Sequence, residues 1–258
     1  MPIVTLTSDW SNDDFYIAAV KGAIYSNCID VNVVDITHKI KPFNIFQAAF
    51  LLKNCYKYYP KGTVHILAVK TEKSDNQQYL AAEFEGQYFL GTDNGVFSLL
   101  FKDEDDVKYI SLDSYDHVNF PTLNVFSKVA CLLANGENID SLGTHAESIT
   151  RRVPLRATIE DNIVTGSIVY IDSFQNVITN VSKDLFERVG KGKPFKIFVQ
   201  SNHYVISKIN KTYQETSVGE ILAIFNSLNL LEVAINGGNA AELLNLDTNS
   251  SVRIKFQL

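Results

Sequence analysis

The first 69 residues alternate two hydrophobic patterns, and this alternation restricts the fold more than any other feature of the chain. Apolar residues repeat with period two over residues 3–7, 31–36 and 64–69, and helical patterns lie between them over residues 14–27 and 44–59. Strands that alternate with helices in this way are typical of a parallel sheet covered by helices. The first half of the chain is therefore predicted to be an α/β domain.

The rest of the first half extends this domain, and the second half has a different pattern. A hairpin around Glu85-Gly86 and a short helix from Gly95 are predicted, followed by a strand at 107–112 and a helix at 124–134. The second half consists of short, closely spaced strands, which predict a smaller β-rich domain, either a barrel or a sandwich. These strands are predicted at residues 157–164, 165–171, 195–199, 204–209, 221–225, 231–235 and 252–256.

Polar residues, two arginines and a proline interrupt both patterns near the middle of the chain. We therefore predict an N-terminal domain over residues 1–147, a linker over 148–154 and a C-terminal domain over 155–258.

Charge and composition argue against several classes of partner. The net charge is -6, with 23 Lys and Arg against 29 Asp and Glu, and no basic run is present, so neither nucleic acid nor an anionic membrane is expected as a partner. The dense charge cluster at 102–106 is interpreted as a solvated loop. Cys28, Cys55 and Cys131 lie in apolar surroundings without C-x-x-C spacing, which predicts reduced cysteines and a cytoplasmic location. We expect neither a signal peptide nor a membrane span.

Carboxylates follow the first predicted strand. Asp9 comes directly after it, and Asp13 and Asp14 precede the first helix. Because ligands of open α/β sheets collect at the carboxyl ends of strands, Asp9 and Asp14 are candidate binding residues. The alternative is that Asp9 or Asp13 caps the helix. A dinucleotide site is not predicted, since residues 7–14 contain no glycine.

Two other kinds of active site receive little support. A zinc hydrolase needs clustered ligands, and the histidines show no pair at helical spacing, namely His38, His65, His117, His145 and His203. His38 and His65 are expected to bond backbone groups in their turns. A glycosidase that uses Asp9 and Asp14 as its acid pair is compatible with the residue types alone.

Six separated motifs carry a resemblance to a known family. They are Thr7-Ser8-Asp9 with Asp14; Val34-Asp35-Ile36-Thr37-His38; Pro60-Lys61-Gly62-Thr63-Val64-His65; Asp93-Asn94-Gly95; Asp172-Ser173-Phe174-Gln175-Asn176 with Thr179-Asn180; and Asn226-Ser227 with Asn236-Gly237-Gly238. Singly, some are explained by turn chemistry: residues 172–176 as a β-turn with side-chain hydrogen bonds, and Gly237-Gly238 as a pair suited to positive φ angles. In their order they resemble the family of S-adenosylmethionine (SAM) hydroxide adenosyltransferases, fluorinases and chlorinases, over nearly the whole chain.

The resemblance implies that a nucleophile, water rather than halide, attacks C5' of SAM and releases methionine, giving adenosine. It implies no cofactor and no metal, with SAM as the substrate or ligand. It also implies a homotrimer in which each site lies between the first domain of one subunit and the second domain of its neighbour.

Position by position, the resemblance also implies the ligand contacts. Asp9 corresponds to the acid that holds the ribose hydroxyls, and Phe43 to an aromatic residue packed on the ribose. The methionine amine and carboxylate would be held by Asp14, Asp172 and Ser227. The adenine would be contacted by Asn176, the backbone near Gly237, and Tyr213.

The catalytic positions depart from the family pattern. Hydrolytic members carry an Asp, an Arg and a His where this chain has Lys70, Gln77 and Pro121. Thr122 corresponds to the residue that binds the nucleophile. These substitutions predict a slow SAM-cleaving enzyme or, alternatively, a non-catalytic homologue that binds adenosine or a related nucleoside.

Overall fold

The computed structural model describes residues 1–11, 13–28, 30–75, 77–101, 106–113, 118–199 and 204–257. The chain divides into two compact units, Met1–Pro154 and Leu155–Leu258. The first combines a mixed sheet, parallel in its first half and antiparallel in the rest, with helices, and the second is rich in β-strands, which confirms the predicted fold class. His117, His203 and most of the charge cluster at 102–106 lie outside the described residues.

The first unit is a sheet with helices on both faces. Its strands are β1 (Ile3–Ser8), β2 (Asn32–Thr37), β3 (Val64–Ala68), β4 (Tyr79–Phe84), β5 (Gln87–Thr92), β6 (Lys108–Ser111) and β7 (Thr144–His145). Its α-helices are α1 (Phe15–Asn27), α2 (Ile45–Lys53), α3 (Val96–Leu100) and α4 (Ser127–Ala134). The strand order is β2-β1-β3-β5-β4-β6-β7, and β2, β1, β3 and β5 run parallel to one another.

The central strand β3 shows why the pattern specifies this arrangement. All of its residues are buried, and successive side chains point to opposite faces. Ile66 packs into a core with residues of α1 and α4, and Leu67 packs into a second core with residues of α2 and α3. A strand covered on both faces therefore appears in the sequence as a continuous apolar run.

The hairpin is confirmed, and two predicted helices are corrected. Strands β4 and β5 pair antiparallel across Glu85 and Gly86, whose φ angles of 52° and 77° suit a tight turn. The helix predicted at 44–59 ends at Lys53 and is followed by a 3₁₀ turn, Tyr56–Tyr58. The helix predicted at 124–134 begins with a π-helical turn at Thr122–Phe126, where the Ser127 N–H donates to the Thr122 carbonyl.

The second unit is a curled sheet. Its strands are β8 (Thr158–Glu160), β9 (Ile163–Ile171), β10 (Val177–Ser182), β11 (Phe195–Val199), β12 (Val205–Ile206), β13 (Ile209–Asn210), β14 (Ile221–Phe225), β15 (Leu230–Ile235) and β16 (Ser251–Phe256), and its helices are α5 (Lys183–Gly190) and α6 (Ala240–Leu243). The order is β12-β11-β16-β9-β10-β15-β14-β13, with β8 paired to β9. Since β12 also contacts β14, the sheet curls into a nearly closed barrel.

Two sequence predictions in this unit are corrected. The strand boundary predicted at residues 164 and 165 is wrong, because the turn lies at Asp161, with a φ of 51°, and Asn162. Strand β10 and helix α5 were not predicted from the hydrophobic pattern. The signal for α5 was its cap, since Ser182 Oγ accepts a hydrogen bond from the Leu185 N–H at 3.2 Å.

No helix in the described part of the chain is both long and apolar enough to cross a membrane.

A buried histidine in the first unit makes stability depend on pH. His65 is fully buried in β3, between Thr5 Oγ1 at 2.8 Å and Gln87 Oε1 at 2.7 Å. Burial lowers the pKa of His65 to about 4 from the usual 6.5, although the hydrogen bond to Gln87 opposes the shift. Between those values the unfolded chain binds a proton that the folded chain does not, so stability falls as the pH falls.

We expect this site to reduce the free energy of unfolding by about 3 kcal/mol between pH 6.5 and pH 4. The measurement is denaturant unfolding followed by the fluorescence of Trp10, the single tryptophan. The variant His65→Gln should be less stable at neutral pH and should show a shallower pH dependence. His145→Gln is the control, since the His145 side chain is 73% exposed. Equal pH dependence in His65→Gln and the wild type would contradict the assignment.

Candidate functional site

The carboxyl ends of the parallel strands in the first unit meet at one edge. Strands β1 and β3 pair Ser8 with Ala68, so Asp9 and Lys70 leave the sheet at the same edge. Strand β2 ends beside them, followed directly by His38. This edge is where an open α/β sheet binds its ligands.

Hydrogen bonds join the loop after β1 to the loop after β2. Ser8 Oγ lies 2.7 Å from His38 Nδ1, and the Ser11 N–H donates to the His38 carbonyl at 3.1 Å. The Phe43 N–H donates to Asp9 Oδ2 at 2.7 Å. These bonds fix the position of Asp9 relative to both loops.

Asp9 and Phe43 together form a surface with a polar and an apolar part. Asp9 is partly exposed, and its second oxygen, Oδ1, accepts no hydrogen bond from the described residues. Phe43 is 71% exposed, and the backbone N–H that donates to this carboxylate belongs to the same residue. A free carboxylate oxygen beside an exposed aromatic ring suits a ligand that carries hydroxyl groups on a ring.

The helix-cap interpretation of Asp9 and Asp13 is wrong. Helix α1 begins at Phe15, its N-cap residue is Asp14, and the Asp14 side chain makes no capping hydrogen bond. Asp13 Oδ2 instead accepts a hydrogen bond from Ser11 Oγ at 3.3 Å. Asp14 is exposed at the start of the helix.

The His38 side chain contacts other side chains rather than backbone groups, contrary to the expectation from sequence. Its Nε2 lies 3.1 Å from Asp35 Oδ1, and Lys21 Nζ lies 2.6 Å from Asp35 Oδ2. The Nε2 contact is electrostatic, since this atom has no partner in hydrogen-bond geometry among the described residues. Partial burial raises the pKa of Asp35, but Lys21 and His38 outweigh it and hold that pKa below its usual value. His65 likewise bonds only side chains.

The loop after β3 is held by residues of the D-N-G motif. Asn94 Nδ2 donates to the carbonyls of Val69 and Lys70, at 3.1 and 2.9 Å. Lys70 is exposed. Gln77 closes its own turn, because its Oε1 accepts the Ser74 N–H at 3.0 Å. Asn94 of the D-N-G motif therefore holds the end of β3. The Gln77 side chain makes a hydrogen bond within its own turn.

The π-helical turn presents a buried hydroxyl near this edge. Thr122 is fully buried, and its Oγ1 has no hydrogen-bond partner among the described residues. The turn packs against α1, β3 and β5. Phe120, just before the turn, contacts Trp10 and Tyr16 edge-on, and its ring centroid lies 5.4 Å from that of Trp10 and 5.3 Å from that of Tyr16. Single π-helical turns occur frequently at functional sites.

Four of the six non-glycine residues with a left-handed backbone in the described part of the first unit lie in these loops. Ser11, Phe43, Lys70 and Phe120 adopt φ angles of 49°, 63°, 50° and 57°. The left-handed region is unfavourable for side chains of this kind, and such strain persists where the surrounding structure enforces it, commonly at functional sites. The edge that carries Asp9 is therefore the candidate site of the first unit.

In the second unit, Asp172 and Asn176 belong to one turn. Asp172 Oδ1 accepts the N–H groups of Phe174 and Asn176 at 2.9 and 2.8 Å, and its Oδ2 accepts Asn176 Nδ2 at 3.1 Å. Gln175 has a φ of 64°. The predicted turn with side-chain hydrogen bonds is confirmed.

The other candidates in this unit lie on three turns. Tyr213 begins a 3₁₀ turn, Tyr213–Glu215, and Ser227 is exposed in the turn between β14 and β15. Gly237 is exposed, and its φ of 69° lies in the left-handed region that residues with a side chain avoid. Gly238 does not adopt a φ in that region. The sequence prediction for the glycine pair is therefore right for Gly237 alone.

Glu232 was not predicted from the sequence as a functional residue. It is 3% exposed within β15, and its Oε1 accepts a hydrogen bond from Tyr213 Oη at 2.6 Å. Burial, this hydrogen bond and the charges of Glu232 and Asp172 raise the pKa of Tyr213 well above its usual value. A glutamate inside the apolar run 230–235 was the available signal. No group of His, Cys, Asp or Glu in the described ranges is arranged to hold a metal ion.

Comparisons with known proteins cover both units. Residues 4–143 match the model of the SAM hydroxide adenosyltransferase N-terminal domain, and residues 166–253 match that of its C-terminal domain. The chain is 27% identical over 269 residues to an (R)-S-adenosyl-L-methionine hydrolase of Methanocaldococcus jannaschii, covering 99% of this chain and 97% of that protein. It is 24% identical over 289 residues to a fluorinase of Actinopolyspora mzabensis, covering 98% and 97%.

Solved structures show the same fold. A conserved protein of Thermotoga maritima superposes with a TM-score of 0.88 at 23% identity, covering 98% of this chain and 99% of that chain. A second, from Thermus thermophilus, superposes with a TM-score of 0.75 at 28% identity, covering 98% and 100%.

Proposed function

The chain belongs to the SAM hydroxide adenosyltransferase family, and from this premise we propose that it cleaves SAM at C5' to give methionine and, with water as nucleophile, adenosine. The observation that carries the proposal is the strained edge of the first unit, where Asp9 offers a free carboxylate oxygen beside the Phe43 ring. Relatives of similar length are named SAM hydrolase and fluorinase, which supports the same substrate.

In the proposed reaction a water oxygen forms a bond to C5' while the C5'–S bond breaks. The bonding electrons go to sulfur, methionine leaves as a neutral thioether, and the water proton passes to solvent. Because the leaving group needs no protonation, the protein mainly has to orient the reactants and exclude bulk water. The buried Thr122 hydroxyl, which has no partner in the described structure, would hold the nucleophile.

The ligand contacts are proposed from the resemblance and from the groups that are available. Asp9 would accept both ribose hydroxyls through charge-assisted hydrogen bonds, with Phe43 against the sugar. Exposed Asp14 and Ser227 would hold the amino acid part, together with Asp172 through lone pairs that its turn leaves unused. Adenine would contact Asn176, Gly237 and the Tyr213 ring.

The substituted positions support a slow reaction. Lys70 is exposed, Gln77 is engaged with Ser74, and Pro121 is buried at the start of the π-helical turn. None of these three side chains is a carboxylate or an imidazole, so none supplies the base that such a group provides. A positioned base typically contributes about 10²- to 10⁴-fold, so its loss slows turnover without abolishing it.

A Lys70 side chain turned toward the ligand rather than to solvent would favour a second candidate function, binding of adenosine without cleavage. An ammonium about 4 Å from the sulfonium of SAM would cost roughly 4 kcal/mol at an effective dielectric constant near 20. A neutral nucleoside would not meet this repulsion. The two candidate functions, cleavage of cationic SAM and binding of neutral adenosine, therefore differ in whether they tolerate a positive charge at this strand end.

We also propose a homotrimer with each site shared between subunits. Helix α1 supports association, because Phe15, Ala18, Gly22 and Tyr25 recur at helical spacing and are all exposed. Small residues in the middle of such a face permit close helix approach, and an apolar face of this kind is typical of an interaction surface.

Incubation of the purified protein with SAM should release adenosine and methionine above the uncatalysed rate, measured by chromatography. The variant Lys70→Asp should raise the rate about a hundredfold, because it removes the like charge and supplies a carboxylate that tolerates a positive φ. Lys61→Asp, in the turn that precedes the opposite end of β3, makes the same charge change and should leave the rate unaltered. Absence of products with both the wild type and Lys70→Asp would leave adenosine binding as the function.

The variant Gly22→Glu tests the trimer. Nothing lies within 4 Å of a Cβ atom at this position, so the single chain accommodates the side chain, whereas a face packed against another copy does not. Light scattering after size exclusion should show three chains for the wild type and for Lys128→Glu, an exposed control in α4, and one chain for Gly22→Glu. A monomeric wild type, or a trimeric Gly22→Glu, would contradict this interface.

A further inference from the structure

Glu232 is a buried carboxylate that joins two of the proposed ligand-binding segments. Its Oε1 accepts Tyr213 Oη at 2.6 Å, and its Oε2 accepts Asn226 Nδ2 at 3.1 Å. Tyr213 is a proposed adenine contact, and Asn226 precedes Ser227, a proposed contact of the amino acid part. One side chain thus bonds both segments from beneath.

The surroundings of Glu232 do not otherwise favour a carboxylate. Glu232 is 3% exposed, and in the sheet it lies opposite Ile224 on one side and Ile178 on the other. Leu222, Ile224 and Ala234 form a small apolar cluster beside it. Burial of a carboxylate among apolar residues is unfavourable unless both oxygens are hydrogen-bonded, and here both are.

The orientation of the Asn226 amide is determined by its neighbours. Its Oδ1 accepts the N–H groups of Leu228 and Leu230, at 3.0 and 3.2 Å. The amide nitrogen must therefore face Glu232. The turn that carries Ser227 is held in shape by this asparagine, and the asparagine is held by Glu232.

The loop that carries Tyr213 has further bonds to its surroundings. Asn210 Nδ2 donates to Thr216 Oγ1 at 2.5 Å, and Asn236 Nδ2 donates to the Thr216 carbonyl at 2.7 Å. These bonds hold the end of the loop, whereas Glu232 holds the ring itself. The Tyr213 residue remains 39% exposed, so a fixed ring still presents surface to a ligand.

We propose that Glu232 is a positioning residue, which orients the Tyr213 ring and the Asn226-Ser227 turn for the nucleoside ligand before that ligand binds. This inference rests on the proposed function, in that it takes Tyr213 as a contact of the base. Preorganisation of this kind increases affinity because fewer side chains and loops have to become ordered when the ligand binds. A glutamine would keep the shape but remove the charge: its oxygen could accept Asn226 Nδ2 and its nitrogen could donate to Tyr213 Oη, so the bond to the ring would lose its charge assistance.

The test is a double-mutant cycle on the full chain, with adenosine as the probe and its dissociation constant measured by calorimetry. Tyr213→Phe should weaken adenosine binding about tenfold, the loss expected for one hydrogen bond to a charged group, and Glu232→Gln should weaken it less, because a neutral hydrogen bond can replace the charged one. Because both variants change the same contact, the double variant should bind about as weakly as Tyr213→Phe alone. Glu215→Gln, an exposed ion-pair residue in the same turn as Tyr213, is the control and should bind normally.

A merely structural role would give a different pattern. Glu232→Gln would then lower the unfolding midpoint while Tyr213→Phe bound adenosine as the wild type does, and that result overturns the proposal, as does an additive cycle. Tyr213→Phe keeps the ring at a partly exposed position, so it carries the test if Glu232→Gln does not fold. Coupled adenosine affinities without SAM cleavage would overturn only the catalytic proposal. A wild type that binds no adenosine would overturn both.

Discussion

The hydrogen bond from the Phe43 N–H to Asp9 Oδ2 is the interaction on which the candidate site of the first unit depends. It joins the loops that follow the two neighbouring strands β1 and β2, and it holds Phe43 in a left-handed conformation with its side chain exposed. The Ser8–His38 contact reinforces the same junction from within the sheet. Without these contacts Asp9 would be one of many surface carboxylates. With them it is a fixed acceptor at the edge where this kind of sheet binds ligands.

By the resemblance to the family, Lys70, Gln77 and Pro121 stand at the catalytic positions, and we propose that these substitutions alter the chemistry more than the fold. Asn94 holds the strand end at Lys70 whatever side chain stands there, because it bonds the backbone carbonyls. The π-helical turn keeps the Thr122 hydroxyl buried beside the neighbouring strands. The proposed displacement, whose leaving group is neutral, would require orientation above all, and these parts would provide it. The proposed change is in the charge at the strand end, where this chain has the ammonium of Lys70 and the family pattern has a carboxylate.

The parts of the fold that follow from local pattern could be predicted from sequence. The strand–helix alternation of the first unit and the Glu85-Gly86 hairpin depend on neighbouring residues, and both were predicted correctly. The π-helical turn at Thr122, the 3₁₀ turn at Tyr56 and the strand–helix pair at 177–190 were not. Their formation depends on packing and on a single cap, which a hydrophobic pattern does not encode.

The candidate site, like the fold, could be predicted from sequence only in part. Sequence motifs singled out Asp9, Asp172 and Asn176 as candidates, because their residue types and spacing are distinctive, and the family resemblance added Phe43. They could not show that Asp9 bonds the amide of Phe43, that Gln77 is engaged within its own turn, or that His38 bonds Ser8. Glu232 escaped attention because a lone glutamate in a strand is usually a solvated residue, and only the fold shows that it is buried beneath Tyr213.

We propose that Asp9 binds the ligand and is not merely a structural carboxylate. A crystal structure of the protein with adenosine is the direct test. Both ribose hydroxyls should lie within hydrogen-bond distance of the Asp9 carboxylate, with the Phe43 N–H still bonded to Oδ2 and the Phe43 ring against the sugar. Adenosine bound elsewhere, with Asp9 bonded to Phe43 alone, would rule out this role.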